Sequence, residues 1–333
     1  MTSAAAVWFP RARAVELRTE TLAETGPNEV RVRAALSAIS HGTEMLVYRG
    51  EVDAELALDL PTLAGGYGFP LKYGYASVGH AVAIGRDVRS VREGDLVFAL
   101  HPHQDEYVVP ETLARRLPDR TAPEHAVFLA NLETAINVVL DAKPHLGEVV
   151  AVFGQGVVGL LVTQLLRRSG ARVVAVEPSA LRRSFAERCG AEAAIVPGDG
   201  ALLRTLTGGR GADIAIDASG SPVALQEAID CVASEGTVVV CSWYGDKPVP
   251  LDLGGRFHRG RVRLVSSQVG RIDPSLAPRW DRERRLGLAM DLLGDLVLAE
   301  LITQRIPFAR AAEAYALVDG RDSDTVQVVL DYA

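Results

Sequence analysis

Val149-Val-Ala-Val-Phe-Gly-Gln-Gly-Val-Val-Gly159 is the stretch that decides the fold. Its five leading residues, Val149 to Phe153, are all apolar, as a strand buried on both faces requires, and they run directly into a G-x-G-x-x-G pattern. Glycines at that spacing recur by chance in a Gly-rich chain. Here the pattern closes a strand and opens an apolar helical segment, Val157 to Arg168, which is the setting of a dinucleotide-binding βαβ unit. Gly154 permits the tight turn and Gly159 lets helix and strand pack closely. Gly156 lets a pyrophosphate approach the backbone, and Gln155, Val157 and Val158 place their amides at the helix start. Glu177 ends the next strand, where a carboxylate can hold both ribose hydroxyls and repel a 2′-phosphate. The expected cofactor is therefore NAD. NADP is the weaker alternative, because Ser179, Arg182 and Arg183 follow and an arginine over the adenine edge would accept the additional phosphate.

Outward from this stretch, apolar strands and helical segments alternate: Arg172–Val176, Ser179–Cys189, Asp213–Ala218, Pro222–Ala233 and Gly236–Cys241. Such alternation predicts a doubly wound parallel sheet covered on both faces. Ser219, Gly220, Ser242 and Gln268 fall just beyond strand ends, at the carboxyl edge where ligands bind in such sheets. Upstream the texture differs. Glu29–Ala34, Ala76–Ile84 and Asp95–Leu100 alternate polar and apolar residues between turns rich in glycine and aspartate, which predicts a mostly antiparallel β domain. Pro123 to Ala142 shows helical spacing and ends before Pro144. The last sixty or so residues are mixed and close on an apolar strand, Thr325–Leu330, able to return to the N-terminal sheet. The expected division is 1–122 with 271–333 as one domain and 123–270 as the other.

Composition narrows the function. The 333 residues carry 35 basic and 42 acidic side chains, a formal charge of −7 without long single-sign blocks, which argues against a nucleic-acid partner. The most apolar run, Val149–Leu166, contains Gln155, Thr163, Gln164 and three glycines and makes a poor membrane span. The N-terminus lacks the order of a signal peptide. Three scattered cysteines, Cys189, Cys231 and Cys241, are too few for a disulfide framework or a Cys₄ zinc site, so a cytoplasmic location is expected.

Ser40-His-Gly-Thr-Glu44, Gly74-Tyr-Ala-Ser-Val-Gly79, Glu93-Gly-Asp-Leu-Val97, the glycine pattern and Ile216-Asp-Ala-Ser-Gly220 together resemble the medium-chain dehydrogenase/reductase family over essentially the whole chain. The resemblance implies an α/β architecture: a GroES-like, mostly antiparallel β domain plus a Rossmann domain, with a cleft between them. It also implies NAD(P)-dependent oxidation or reduction and a homodimer joined through the Rossmann sheet edge, here Arg261–Ser267. The departures are informative. His41 stands where zinc-dependent members carry cysteine, Tyr75 where they carry histidine, and Ala130 aligns with the third ligand; the structural-zinc lobe is absent. Tyrosine is a poor zinc donor, so a zinc-free member is expected. Tyr48-Arg-Gly50 is also similar to the zinc-free quinone-reductase branch.

Without a Lewis acid, hydrogen-bond donors and a titratable group must handle the substrate oxygen. Thr43 matches the family's proton-relay hydroxyl. His41 is a candidate acid/base, Tyr75 a phenol donor, and Glu44 a carboxylate able to orient His41. His101 and His103 lie two apart, on one face of an extended chain, and either is a candidate general acid. A rival arrangement would gather His41, His101 and His103 with Glu44 or Asp105 around a non-standard metal. The expected activity is interconversion of a secondary alcohol and a ketone on a polar small molecule such as a sugar, cyclitol or biosynthetic intermediate. The alternatives are a quinone or enoyl reductase acting on a conjugated carbonyl, and a dinucleotide-binding protein without turnover.

Overall fold

The computed structural model describes residues 2–58, 60–63, 65–320 and 324–333. Two compact units emerge: Met1–Ala130 with Met290–Ala333, and Asn131–Ala289.

The second unit contains a six-stranded parallel sheet. Its strands, in chain order, are Val149–Phe153, Arg172–Val176, Ala193–Ile195, Ala212–Asp217, Val232–Val240 and Arg263–Ser266; across the sheet they run 3-2-1-4-5-6. Val149–Phe153 lies in the middle and every residue of it is buried, as its uninterrupted apolar sequence requires. The chain order reverses beside this strand, so the Gly154 turn lies at the switch point where α/β sheets bind ligands. Helices Val157–Arg168, Ala180–Arg188 and Pro222–Cys231 connect the strands. The strand expected from Gly236 begins earlier, at Val232, and includes an irregularity in which Glu235 adopts a positive φ of 62°. The last strand, Arg263–Ser266, is an exposed edge, with Leu264 and Val265 open to solvent.

In the first unit a seven-stranded sheet is ordered Ile302–Pro307, Gln327–Asp331, Glu29–Ile39, Ser77–Ile84, Leu96–Ala99 and Arg115–Arg116, with Glu106–Pro110 also paired to Glu29–Ile39. The C-terminal strand does return: it runs antiparallel to Glu29–Ile39, with Leu330 opposite Ser37. Its one parallel neighbour is Ile302–Pro307. The sequence also conceals a hairpin-like pair, Ser3–Trp8 with Glu16–Thr21. The helix expected over Pro123–Ala142 is two, Pro123–Ala126 and Leu129–Ala142. Val127, Phe128 and Leu129 are all fully buried, more of the circumference than one face of a continuous helix presents to a core. Among the described residues no helix is long and apolar enough to cross a membrane.

Candidate active site

In the dinucleotide unit the glycines divide by what surrounds them. Gly154 has φ +88°, and a Cβ there would lie 2.8 Å from Ala218 O; a Cβ on Gly159 would lie 2.0 Å from Gly154 O. Both are demanded by the fold itself. Gly156 is not: its φ of −70° suits any residue, and a Cβ would meet nothing within 4 Å. The protein leaves open space over that backbone, which is the fit a pyrophosphate needs. Gln155 is wholly buried and its side chain faces inward, donating to Val152 O and accepting from Thr163 Oγ1. Val157 is buried and Val158 partly so. The Glu177 carboxylate is 3% exposed and accepts from Gln155 N–H (2.7 Å) and Ser179 N–H (3.0 Å), so it braces the turn. Ser179 caps the following helix by accepting from Arg182 N–H, while Arg183 turns back to donate to Glu177 O and Pro178 O.

Ser219, Gly220 and Ser242 converge on Asp217, which is fully buried. Ser219 Oγ donates to Asp217 Oδ1 (2.6 Å), Tyr244 donates to Oδ2 (2.8 Å), and Ser242 Oγ accepts from Gly220 N–H (2.9 Å). Burial first, then the Asp217 charge, pushes the Tyr244 phenol up, so it stays a donor. Gln268 Oε1 accepts from Gly270 N–H. Its loop is pinned by Arg285, only 1% exposed, which donates to Glu133 Oε1 (2.8 Å), Asn137 Oδ1 and Val269 O (2.7 Å). Arg285 lay in an ordinary charged stretch, and nothing in the sequence marked it.

The other unit gathers a different centre. Helix Thr43–Arg49 follows strand Glu29–Ile39 and carries Glu44, with no exposed surface, in its first turn. Glu44 Oε1 accepts from His103 Nε2 (2.8 Å) and from the Tyr315 phenol, and Oε2 accepts from Ser40 N–H (3.0 Å). His103 Nδ1 lies 2.6 Å from Ser37 Oγ, which lies 2.8 Å from the Tyr332 hydroxyl. Gly74 has φ +135°, and a Cβ on it would stand 2.9 Å from the His103 ring, so this glycine makes room for the imidazole. Next to it, Tyr75 donates to Ser40 Oγ (2.6 Å). Burial pushes its phenol up to about 12, with the Glu44 charge adding to the rise against hydrogen bonds from Ser40 and Thr43. Tyr75 is thus a protonated donor across the physiological range. Thr43 and His41 are partly exposed at the same turn.

His101 and His103 do not share a face. His101 stacks on Tyr107, with ring centroids 3.9 Å apart, and its Nδ1 lies 2.9 Å from Pro102 O. Both histidines are buried, not surface loop residues. Burial drives His101 down to about 3, which removes it as an imidazolium acid near neutral pH. Glu44, expected to orient His41, is bonded instead to His103. The sequence pattern does not single out Ser37, Tyr315 and Tyr332. Tyr315 does carry a signal: it falls on the buried face of its helix with Ala311, Ala314 and Val318, and a buried phenol needs a hydrogen-bond partner.

A profile of the zinc-binding dehydrogenases matches residues 157–281. The D-guloside 3-dehydrogenase of Escherichia coli is 30% identical over 308 residues, covering 86% of this chain and 88% of that protein. The chain belongs to the zinc-binding dehydrogenase family. It is therefore an oxidoreductase of the medium-chain dehydrogenase/reductase type. The (R,R)-butanediol dehydrogenase of Bacillus subtilis is 30% identical over 262 residues, 68% of this chain and 75% of its own. Among solved structures, that of 2R,3R-butanediol dehydrogenase from Bacillus subtilis shares the fold with a TM-score of 0.80 at 21% identity, over 99% of this chain and 100% of that one. Zinc is implied by the family, and the residues present do not fit it. Tyr75 spends its phenol on Ser40, His103 is held between Glu44 and Ser37, and His101 is stacked on Tyr107. Among the described residues, no group of three or more His, Cys, Asp or Glu is placed to hold a metal ion. The rival His41–His101–His103 metal site thus finds no support.

Proposed function

We propose that this zinc-binding dehydrogenase relative is an NAD-dependent enzyme that interconverts a secondary alcohol and a ketone on a hydroxylated small molecule, using its own hydroxyl donors at the substrate oxygen. The open space over Gly156 carries the cofactor half of this reading. A buried carboxylate, Glu177, at the strand end assigned here to the adenosine ribose, supports NAD over NADP, because a 2′-phosphate beside it would be repelled. Bound nicotinamide supplies the hydride acceptor. Tyr75 and Thr43 are assigned to the substrate oxygen: the Tyr75 phenol, held protonated and donating its one proton to Ser40 Oγ in this structure, would turn that proton to an oxyanion as it forms, and His41 is the group assigned to take or return the proton. The relatives named for a guloside and a butanediol both act on hydroxylated compounds, which supports a polar substrate. The exposed edge Arg263–Ser266 supports a homodimer formed by pairing with a second copy.

The test is a panel of glycosides, polyols and vicinal diols offered with NAD⁺ or NADP⁺ and followed by nicotinamide absorbance, alongside metal analysis of the same preparation. Oxidation of a polyol or glycoside with NAD⁺, without stoichiometric zinc, is expected. Turnover confined to conjugated carbonyls, or about one zinc per chain surviving dialysis, would overturn the proposal. Sedimentation of the wild type against Val265→Lys tests the dimer, which the lysine should dissociate.

A further inference from the structure

Glu44 receives three donors: Ser40 N–H, the Tyr315 phenol and His103 Nε2. Behind His103 the hydrogen bonds continue through Ser37 to Tyr332. Every member is buried except Ser40 and Tyr332, which are partly buried. The direction of the chain follows from its ends. A carboxylate oxygen facing His103 needs a proton on Nε2, since a bare Nε2 would set two acceptors 2.8 Å apart. Neutral imidazole then presents an unprotonated Nδ1, which must accept from Ser37, and Ser37 Oγ in turn accepts from Tyr332. Burial holds the Tyr332 and Tyr315 phenols up, so both keep the proton they donate. The donors all point one way, toward Glu44.

At its other end the carboxylate grips the backbone of Ser40, and Ser40 Oγ accepts from Tyr75. A buried carboxylate thus ties down the turn that carries His41 and Thr43. We propose that Tyr315 and Tyr332, supplied by the C-terminal return of the chain, are positioning residues for the Tyr75 donor, acting through Glu44 and through the tautomer of His103. The proposal rests on the assignment of Tyr75 to the substrate oxygen. The Tyr315 phenol is bonded to Glu44 and the Tyr332 hydroxyl to Ser37, so each fixes a group that fixes the turn, as outer partners do.

Tyr315→Phe and Tyr332→Phe each delete one hydroxyl and keep the ring, and Ser37→Ala cuts the chain beside His103. All three would be compared with wild type as full-length protein, using the substrate that the panel above identifies. The imidazole nitrogens would be observed by NMR on isotope-labelled protein, with the His103 signals assigned by their loss in His103→Gln. Wild type should show a protonated Nε2 and an unprotonated Nδ1. Tyr332→Phe and Ser37→Ala should shift the Nδ1 signal, Tyr315→Phe the Nε2 signal, and each should lower kcat roughly 10- to 100-fold at unchanged NADH affinity. A fall in kcat with unmoved imidazole signals would mark a merely structural role and overturn the proposal, as would no change in either. Should wild type oxidise nothing on the panel, the function proposed above fails, and the imidazole signals alone decide whether the two phenols set the His103 tautomer.

Discussion

In the dinucleotide unit the groups assigned to the pyrophosphate belong to the backbone, and they come from one short segment: the turn Gly154–Gly159 with Glu177 bracing it. In the other unit the polar centre is made of side chains from separate segments, at Ser37 to Glu44, Gly74 to Tyr75, His103, Tyr315 and Tyr332. The first is fixed by local sterics, the second by hydrogen bonds that exist only after the sheet has assembled. Backbone sites of this kind are robust to side-chain change but intolerant of added volume. Side-chain hubs should behave in the reverse way. Mutations can test that contrast.

The largest effect is expected at His103. Replacing it with alanine leaves the wholly buried Glu44 without one of its donors and removes the group that Ser37 and Tyr332 address. Losing one donor to a buried carboxylate costs about 1–3 kcal/mol, and the missing ring adds the cost of the cavity it leaves. Denaturant unfolding of His103→Ala should show that loss, while NADH titration of the protein below its unfolding midpoint should give wild-type affinity. A loss below about 1 kcal/mol would mean that the hub is dispensable and the contrast is false. Next comes Gly159→Ala, where a single methyl meets Gly154 O at 2.0 Å. Overpacking of this kind costs about 1–3 kcal/mol, and because the helix must shift, NADH binding should fall as well.

These two sites also show why one half was legible and the other was not. A glycine spacing after an apolar run encodes a local shape, so the strands Val149–Phe153 and Arg172–Val176 and the helix Val157–Arg168 match their sequence-based limits. Gly74-Tyr75 and Ser40–Glu44 were recognisable as motifs, but their partners were not. Tyr315 follows Glu44 by 271 positions and Tyr332 follows Ser37 by 295, and no periodicity links residues so far apart. The placement of His101 and His103 is hidden for a related reason: alternation puts them on one face only if the segment is a strand, and here it is a loop whose two rings find different partners. The two-helix break at Val127–Phe128 was likewise hidden, because its residues are as apolar as the helix they interrupt.

His101 gives a smaller, pH-dependent effect in the same unit. Its folded pKa of about 3 lies below the usual 6.5, so between those values the unfolded chain binds a proton that the folded chain does not. Stability from this residue is complete above pH 6.5 and is lost as the pH falls toward 3, with a slope of about 1.4 kcal/mol per pH unit for one proton. His101→Gln should flatten the stability–pH curve by that slope on the acid side. Parallel curves for wild type and variant would show that His101 titrates normally and that its burial is not maintained in solution.

The smallest stability effect should come from Gly156→Ala, and it sharpens the comparison most. The backbone there is already in a conformation alanine adopts freely, and the added methyl would touch nothing. Thermal unfolding should therefore move little, or slightly upward, since replacing glycine at a compatible position stabilises by about 0.4–1 kcal/mol through the unfolded chain. The same methyl would occupy the space a pyrophosphate needs, so NADH affinity should drop by roughly tenfold or more. Gly159→Ala loses binding together with stability; Gly156→Ala should lose binding alone. Unfolding midpoints and NADH titrations on the two variants separate these cases. If Gly156→Ala binds NADH as tightly as wild type, the open space beside Gly156 is not where the phosphates lie, and the cofactor half of the proposed function loses the observation that carries it.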